Sequence, residues 1–474
     1  MGGARASRVV GALCIAAATV VGAIVLGGGK AATAATETAP PPGVHLGVAS
    51  CAGSTCHSRQ VDSGVNIRQN ELITWQDPGV AGAHSRAWTV LRTTRSQAIA
   101  RKLGIGDPAS AKECIECHSD TVAASAGKHQ ISDGVGCESC HGGSSGWLDS
   151  HRTVAGGRRD VPAGTSQAVA AHQANLERGL KRLEDPKVRA DVCLDCHYGS
   201  SRRYQFVTHD IMAAGHPRVA FELDLFSSLQ KHWDVDRDYV ARKVYADGAK
   251  TWAVGQAMAV KRAASLYASG ARNMGAFPEL YFFDCHACHR EISDDPSARP
   301  KWEVNPGRFR TAGQPPFNDE NMIMVSAAAK VLAPGLAARF DAETKAFHDA
   351  TTRSGQDSRQ AAARLAATAD QLANVFAARG EVSPGQAHAI LDAVLAGEIT
   401  RRYTDYAGSA QAVMAAETLV NHLVARGADR GVVDRAIRPS LNAAYAQVRE
   451  PNSYRPEAFR ASLTRVAQAA RSLR

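Results

Sequence analysis

The pattern of hydrophobic and polar positions changes twice along the chain. Residues 9–29 are uncharged and either apolar or small. Residues 44–316 carry short apolar runs between glycine-rich loops, with no alternating pattern long enough to predict a sheet. Residues 317–474 have helically spaced apolar positions and very frequent alanine. The pattern predicts a mainly α protein, with short helices and loops in the middle region and a helical bundle at the C-terminus.

The first region has the features of an export signal. Arg5 and Arg8 precede the apolar stretch, and Ala32-Thr33-Ala34 offers a small-x-small cleavage site. We predict a signal peptide at residues 1–34, a linker at 35–43 and a periplasmic mature chain. Without cleavage the leader would anchor the protein in a membrane, because about 20 apolar residues can span a bilayer.

Two further predictions concern helices. A long helix is predicted from about Asp236 to Leu266, with four residues recurring on one face: Val240, Val244, Trp252 and Val260. In the last region, Ser383-Pro384 is a typical helix start, and Gly380 and Gly427 mark helix ends. We predict about five helices after residue 317.

All cysteines outside the leader occur in five close pairs, and each pair is followed at once by histidine. The pairs are Cys51/Cys56, Cys114/Cys117, Cys137/Cys140, Cys193/Cys196 and Cys285/Cys288. The histidines are His57, His118, His141, His197 and His289. Four pairs have two intervening residues, and the first pair has four.

This spacing is that of haem attachment. Two neighbouring thiols can each add to one haem vinyl group, and the following histidine can then bind the iron. Zinc ribbons do not require a trailing histidine, a disulfide framework would not repeat adjacent pairs, and iron–sulfur ligation needs a different fourth ligand. We therefore predict five covalently bound haem c groups, with these histidines as the proximal iron ligands.

The second iron ligands are sought among the remaining histidines. A haem that only passes electrons usually has both axial positions filled. The candidates nearest the cysteine pairs are His84, His151, His209, His216 and His45. For the last, His129 is the alternative. Five others are interpreted as structural or exposed: His172, His232, His348, His388 and His422.

The net charge does not indicate nucleic-acid binding. The formal value of +9 falls to about +6 without Arg5, Arg8 and Lys30 of the leader, and to about −4 with the ten propionates of five haems. The basic residues therefore balance the charge that the predicted cofactors bring.

Three segments resemble one family of multihaem c-type cytochromes. They are Cys114-Ile-Glu-Cys117-His118, Gly134-Val-Gly-Cys137-Glu-Ser-Cys140-His141-Gly142 and Asp149-Ser-His151-Arg152. The family includes the tetrahaem electron shuttle of ammonia oxidisers, the redox partner of hydroxylamine oxidoreductase. The resemblance covers residues 45–220. It implies a mainly helical fold, closely packed haems, a periplasmic redox role, and distal ligation by His84 and His151.

The chain departs from that family in its long first spacer, its fifth cysteine pair and its helical extension. We predict a pentahaem electron carrier with redox protein partners, which include a membrane-bound, quinone-linked protein as one option. The alternative is an oxidoreductase acting on a small nitrogen or sulfur compound at one haem with an open coordination position. No residue cluster indicates a catalytic centre, and the lysine that marks the catalytic haem of pentahaem nitrite reductases is absent from all five motifs. The sequence does not predict the oligomeric state.

Overall fold

The computed structural model describes residues 43–473, except 62–67, 123–124, 153–165, 236–238, 241–242, 275–276, 290–294, 296, 298–304 and 309–313. The predicted signal peptide lies outside this range. Over the described residues the chain is mostly helical, which confirms the mainly α prediction. None of the helices in these residues is both long and apolar enough to cross a membrane.

The region that carries the cysteine pairs has short helices and one long helix. The helices are Glu71–Trp75, Thr94–Leu103, Lys112–His118, Cys137–His141, Ser166–Glu177, Pro186–His197, His209–Ala214, Leu223–Leu229 and Gly248–Ser269, with shorter helical turns between them. The only strands among the described residues are Asn273–Met274 and Phe277–Pro278, which pair antiparallel.

The long helix begins later than predicted. The Asp247 side chain accepts a hydrogen bond from the Lys250 amide, and this cap starts the helix at Gly248. Val240 and Val244 precede the cap and are exposed, and Asp236 lies outside the described residues. The prediction extended an apolar spacing across a cap that interrupts it.

The C-terminal region contains seven helices of ten or more residues, where about five were predicted. They are Glu320–Leu332, Pro334–Thr351, Gly355–Ala378, Pro384–Leu395, Tyr406–Ala425, Arg438–Gln447 and Pro456–Ala470. Ser383 caps the Pro384–Leu395 helix as predicted, in a reciprocal capping box with Gln386. Gly427, with φ of 102°, follows the end of the Tyr406–Ala425 helix.

The main buried apolar cluster joins these helices to the end of the cysteine-bearing region. It runs from Ala190 to Ala470, and the Gly248–Ser269 helix lies within it, buried on almost every side along its first half. This helix packs on the Gly355–Ala378, Glu320–Leu332 and Pro186–His197 helices. The predicted division at residue 316/317 stays a prediction, and the core crosses it.

Gly255 lies where the Gly248–Ser269 helix closely approaches the Leu223–Leu229 helix. A Cβ atom at Gly255 would lie 2.5 Å from the Leu223 Cβ. We predict that Gly255→Ala destabilises the protein by about 1–3 kcal/mol, because this overpacking outweighs the better helix propensity of alanine. Chemical denaturation of the purified protein measures the change.

The matched control is Gly335→Ala, the same change at a helical glycine with nothing within 4 Å of the added Cβ. It should be neutral or stabilise the protein by up to about 1 kcal/mol. Equal effects of the two substitutions would contradict the close approach.

Candidate functional site: five paired histidine clusters

Three of the cysteine pairs lie at helix ends. The Lys112–His118, Cys137–His141 and Pro186–His197 helices each finish on the histidine of a motif. Residues at i, i+3 and i+4 of a helix lie on one face, so both cysteines and the histidine project to the same side. Local helix geometry thus presents two thiols and an imidazole together.

The first and fifth pairs reach a similar backbone arrangement without an α-helix. The His289 amide donates to the Cys285 carbonyl at 2.7 Å, which is the bond that a helical turn would make. The His57 amide donates to the Cys51 carbonyl at 3.3 Å, although two more residues intervene. The extra residues of the first spacer are therefore accommodated in a turn that still closes on the histidine. All ten cysteines are free of disulfides.

The cysteines of the five motifs differ in exposure. Burial raises the pKa of the Cys140 thiol to about 11 and the pKa of the Cys193 thiol to about 12. Cys288 is instead exposed. The Cys56 Sγ lies 3.9 Å from the hydroxyl of its exposed neighbour Thr55.

The exposure of Cys288 has a local reason. The 3-10 turn of the fifth pair, Cys285–Ala287, ends before Cys288, so no helical face carries that thiol inward. In the first pair, the exposed spacer residues 53–55 lead directly into Cys56. Haem attachment at all ten cysteines stays a prediction.

Each histidine that follows a cysteine pair faces a second histidine. The ring centroids are 6.0 Å apart for His57 and His151, 6.2 Å for His118 and His216, 6.3 Å for His141 and His232, 6.1 Å for His197 and His84, and 5.9 Å for His289 and His209. We call these clusters sites 1 to 5, in the order of their cysteine pairs.

This separation fits two imidazoles on one metal ion. A metal–imidazole bond is about 2.0–2.1 Å, so two ring nitrogens on opposite sides of one ion are about 4 Å apart, and their ring centroids are about 6 Å apart. The spacing recurs at all five cysteine pairs. The residues of each site therefore fit a haem held by two thioethers and two histidines.

Hydrogen bonds orient several of these rings. Nδ1 donates to a backbone carbonyl in three of them, at 2.8 Å from His118 to Ala87, 2.7 Å from His216 to Pro217, and 2.9 Å from His232 to Gln230. A donor at Nδ1 leaves Nε2 for a metal. In His57, Nδ1 lies 2.8 Å from the Glu71 carboxylate instead.

Burial keeps the most enclosed rings neutral, which is the state that binds a metal. It lowers the pKa of His141 to about 3 and the pKa values of His151 and His197 to about 4. The hydrogen bond that His57 donates to Glu71 has the opposite effect, and raises the pKa of His57.

Four of the five distal candidates face a proximal histidine, namely His84, His151, His209 and His216. The fifth, His45, does not. Its Nδ1 lies 2.8 Å from an Asp120 carboxylate oxygen, and His129 lies on the other side of the same residue, at 3.0 Å from its carbonyl. The two rings are 6.4 Å apart, but no cysteine pair accompanies them.

The partner at site 3 is His232, which sequence reasoning placed among the structural or exposed histidines. It lies 91 positions after His141. No local motif marks it, and only the tertiary structure brings it to the site. Its position within residues 44–316, where all the cysteine pairs occur, is the one signal that could have raised its rank.

Contacts between the sites give their spatial order. The Cys51 and Cys137 side chains lie next to each other, which joins sites 1 and 3. The Cys117 and Cys196 side chains likewise lie next to each other, which joins sites 2 and 4.

Single residues or short helices make the other links. Gln230 accepts from His232 of site 3 with its carbonyl and hydrogen-bonds His84 of site 4 with its side chain. The His209–Ala214 helix carries His209 of site 5 at its start, and His216 of site 2 follows two residues after its end. The order in space is 1–3–4–2–5, which differs from the order along the chain.

Comparison with known proteins agrees with this geometry. Residues 51–142 match the family model of cytochrome c554 and c-prime, a stretch that spans the first three cysteine pairs. The match supports a c-type cytochrome. Covalently bound haem c with iron is the cofactor that this cytochrome family implies, and haem-based electron transfer is its class of function. Neither a curated protein nor a solved structure matches the chain.

The Glu138 carboxylate, within the matched segment, binds two loops that lie just outside it. It is 2% exposed and accepts from the amides of Leu46 at 2.9 Å, Gly47 at 2.7 Å and Ser144 at 2.7 Å. We predict that Glu138→Gln destabilises the holoprotein by about 2 kcal/mol or more, because an amide group cannot accept all three hydrogen bonds. Chemical denaturation checks this.

The control is Glu116→Gln, at the residue before Cys117 in the second motif. Among the described residues no side-chain hydrogen bond of Glu116 is present, so its stability change should stay within about 0.5 kcal/mol. Similar losses in both variants would argue against the anchoring role of Glu138.

Proposed function

We propose that this chain is an exported, pentahaem electron-transfer protein in which every haem iron has two histidine ligands. The observation that carries the proposal is the pairing of all five motif histidines with a second histidine at 5.9–6.3 Å. The proposed distal ligands are His151, His216, His232, His84 and His209 for sites 1 to 5. His232 thereby replaces His45 in the set proposed from the sequence.

The chain's own residues fix and tune the centres. Haem iron, when bound, accepts and releases one electron at each centre. The cysteine thiols would hold each haem through thioether bonds, and the two imidazoles of each site would bind its iron, which would leave no position for substrate or water. Backbone carbonyls at Ala87, Pro217 and Gln230 hold three imidazoles in place. This arrangement supports electron transfer without bond chemistry at the iron.

The spatial order supports a single relay. Sites 1 and 5 are its ends, because each is joined to one neighbour by the contacts described above. The His209–Ala214 helix rises about 8 Å, and the His216 amide beyond it donates to the Ile211 carbonyl at 3.2 Å, which supports a short distance between sites 5 and 2. We propose that electrons pass along 1–3–4–2–5 between a donor and an acceptor protein in the periplasm.

The first test counts the haems and probes their axial positions. We expect the mature protein to carry the mass of five haems, each bound through two thioethers, and its spectra to show only low-spin iron that does not take up carbon monoxide. Fewer than five haems, or a free thiol at Cys56 or Cys288, would contradict the proposed attachment. A high-spin haem that binds the gas in the wild-type protein would favour the oxidoreductase alternative.

A pair of variants tests the ligand assignment. His232→Ala should convert one haem in five to a high-spin form that binds carbon monoxide, because it removes one axial ligand. His45→Ala should leave all five haems low-spin, because His45 is hydrogen-bonded to Asp120 and faces no motif histidine. The reverse outcome would restore His45 as a ligand and exclude His232.

A further inference from the structure

Site 1 differs from the other sites in what its proximal imidazole contacts. His57 Nδ1 donates to a Glu71 carboxylate oxygen at 2.8 Å, and the Glu71 side chain is 19% exposed. A second hydrogen bond, from the Leu72 amide to the His57 carbonyl at 2.9 Å, joins the backbones of the two segments. The other Glu71 oxygen accepts from the Gln69 amide at 3.2 Å. The carboxylate is therefore fixed against this ring.

The other oriented rings have neutral partners. His118, His216 and His232 donate to backbone carbonyls, and His84 is bonded to an amide side chain. Among the described residues, Glu71 is the one carboxylate that hydrogen-bonds a ring of sites 1 to 5. Site 1 thus has a negative charge behind one axial ligand, and no such charge is seen behind the rings of the other sites.

A charged hydrogen-bond acceptor behind a metal-binding imidazole changes the midpoint potential of the metal. A hydrogen bond from imidazole to carboxylate is roughly twice as strong as one to a neutral carbonyl, and it makes the ring a stronger electron donor. A stronger donor stabilises the oxidised iron, which carries the higher positive charge, more than the reduced iron. The midpoint potential of that centre falls as a result.

We propose that Glu71 is a positioning residue that makes site 1 the lowest-potential centre of this protein. The inference rests on the proposed pentahaem function and adds an energetic direction to it. Site 1 is one end of the 1–3–4–2–5 order, so the low-potential centre lies where the relay meets a partner protein. Glu71 acts through His57 and need not touch the haem or the partner.

Site 1 can also be recognised spectroscopically. The His57 and His151 ring planes are only 10° apart, whereas the planes at sites 2, 3 and 4 are 60–86° apart and those at site 5 are 32° apart. Parallel and crossed imidazole planes give low-spin iron different anisotropy in its electron paramagnetic spectrum. The most nearly parallel pair therefore gives site 1 its own signal.

The test is a redox titration of holoprotein variants, followed optically and by electron paramagnetic resonance. In Glu71→Gln we expect one of the five midpoint potentials to rise, and the signal of the parallel pair to be the one that moves. In Glu71→Asp, which keeps the carboxylate on a shorter side chain, that midpoint should lie between wild type and Glu71→Gln. The other four transitions should stay in place.

The chain provides a matched control. His172 and Glu184 form the same kind of pair, at 2.7 Å with a half-buried histidine, but no cysteine pair adjoins them. Glu184→Gln should leave all five midpoints unchanged, which separates an effect at the iron from the loss of any buried carboxylate–histidine bond.

The possible failures are distinguishable. Five haems in the wild-type protein, with unchanged midpoints in a Glu71→Gln variant that keeps five low-spin haems, would overturn the role of Glu71 alone. A wild-type protein without haem at site 1 would overturn the pentahaem proposal itself. If Glu71→Gln loses haem, the titration of Glu71→Asp decides, because an unchanged site 1 midpoint in a Glu71→Asp variant that keeps five low-spin haems contradicts the inference.

Discussion

The rest of the structure depends on one constraint: imidazole rings face each other in pairs, with their ring centroids about 6 Å apart. Each pair joins segments far apart in sequence, for example His57 with His151 and His84 with His197. A metal shared by two such rings crosslinks the chain as a disulfide does, with a ring system added to the core. Folding of the described residues before Ala190 is therefore expected to require haem attachment, because the free energy of metal binding contributes to the free energy of folding.

This constraint explains why the described residues before Ala190 and those after it are packed differently. The main apolar cluster begins at Ala190, so the described residues before it contribute none of its members. Helices such as Glu71–Trp75 and Cys137–His141, of five residues each, are too short to be stable by themselves. The C-terminal helices are longer and pack through their own side chains. Before Ala190, the haem groups would fill the core that apolar side chains fill in the rest of the chain.

What the sequence predicts correctly is local. The turn of Cys-x-x-Cys-His, the capping serine at Ser383 and the helix end near Gly427 depend on neighbours within four residues, and the structure has helical turns and caps at those points. The pairing of His232 with His141 depends on the path of 90 intervening residues, and no local pattern encodes it. The exposure of Cys288 likewise depends on where a turn ends, which the motif spacing does not specify. The start of the Gly248–Ser269 helix was missed because a capping aspartate outweighed the apolar spacing before it.

Ion pairs connect the C-terminal helices and the Gly248–Ser269 helix to the segments that carry the cysteines of sites 4 and 5. Arg262 of the central helix reaches Asp191 and Asp195 at 2.7 Å each, beside the cysteines of site 4. Near site 5, the buried Arg308 lies 2.8 Å from Asp405 of the bundle and 3.8 Å from Asp284, the residue before Cys285. The Arg308 pairs are buried, so removing one partner would leave an uncompensated charge, and these pairs fix the loop before Cys285 firmly. The carboxylates paired with Arg262 are exposed, and these pairs contribute less. In the proposed relay, a rigid frame around the iron centres would reduce the rearrangement that accompanies each change of charge, which is what fast electron exchange requires. On that proposal the C-terminal helices would need no chemistry of their own.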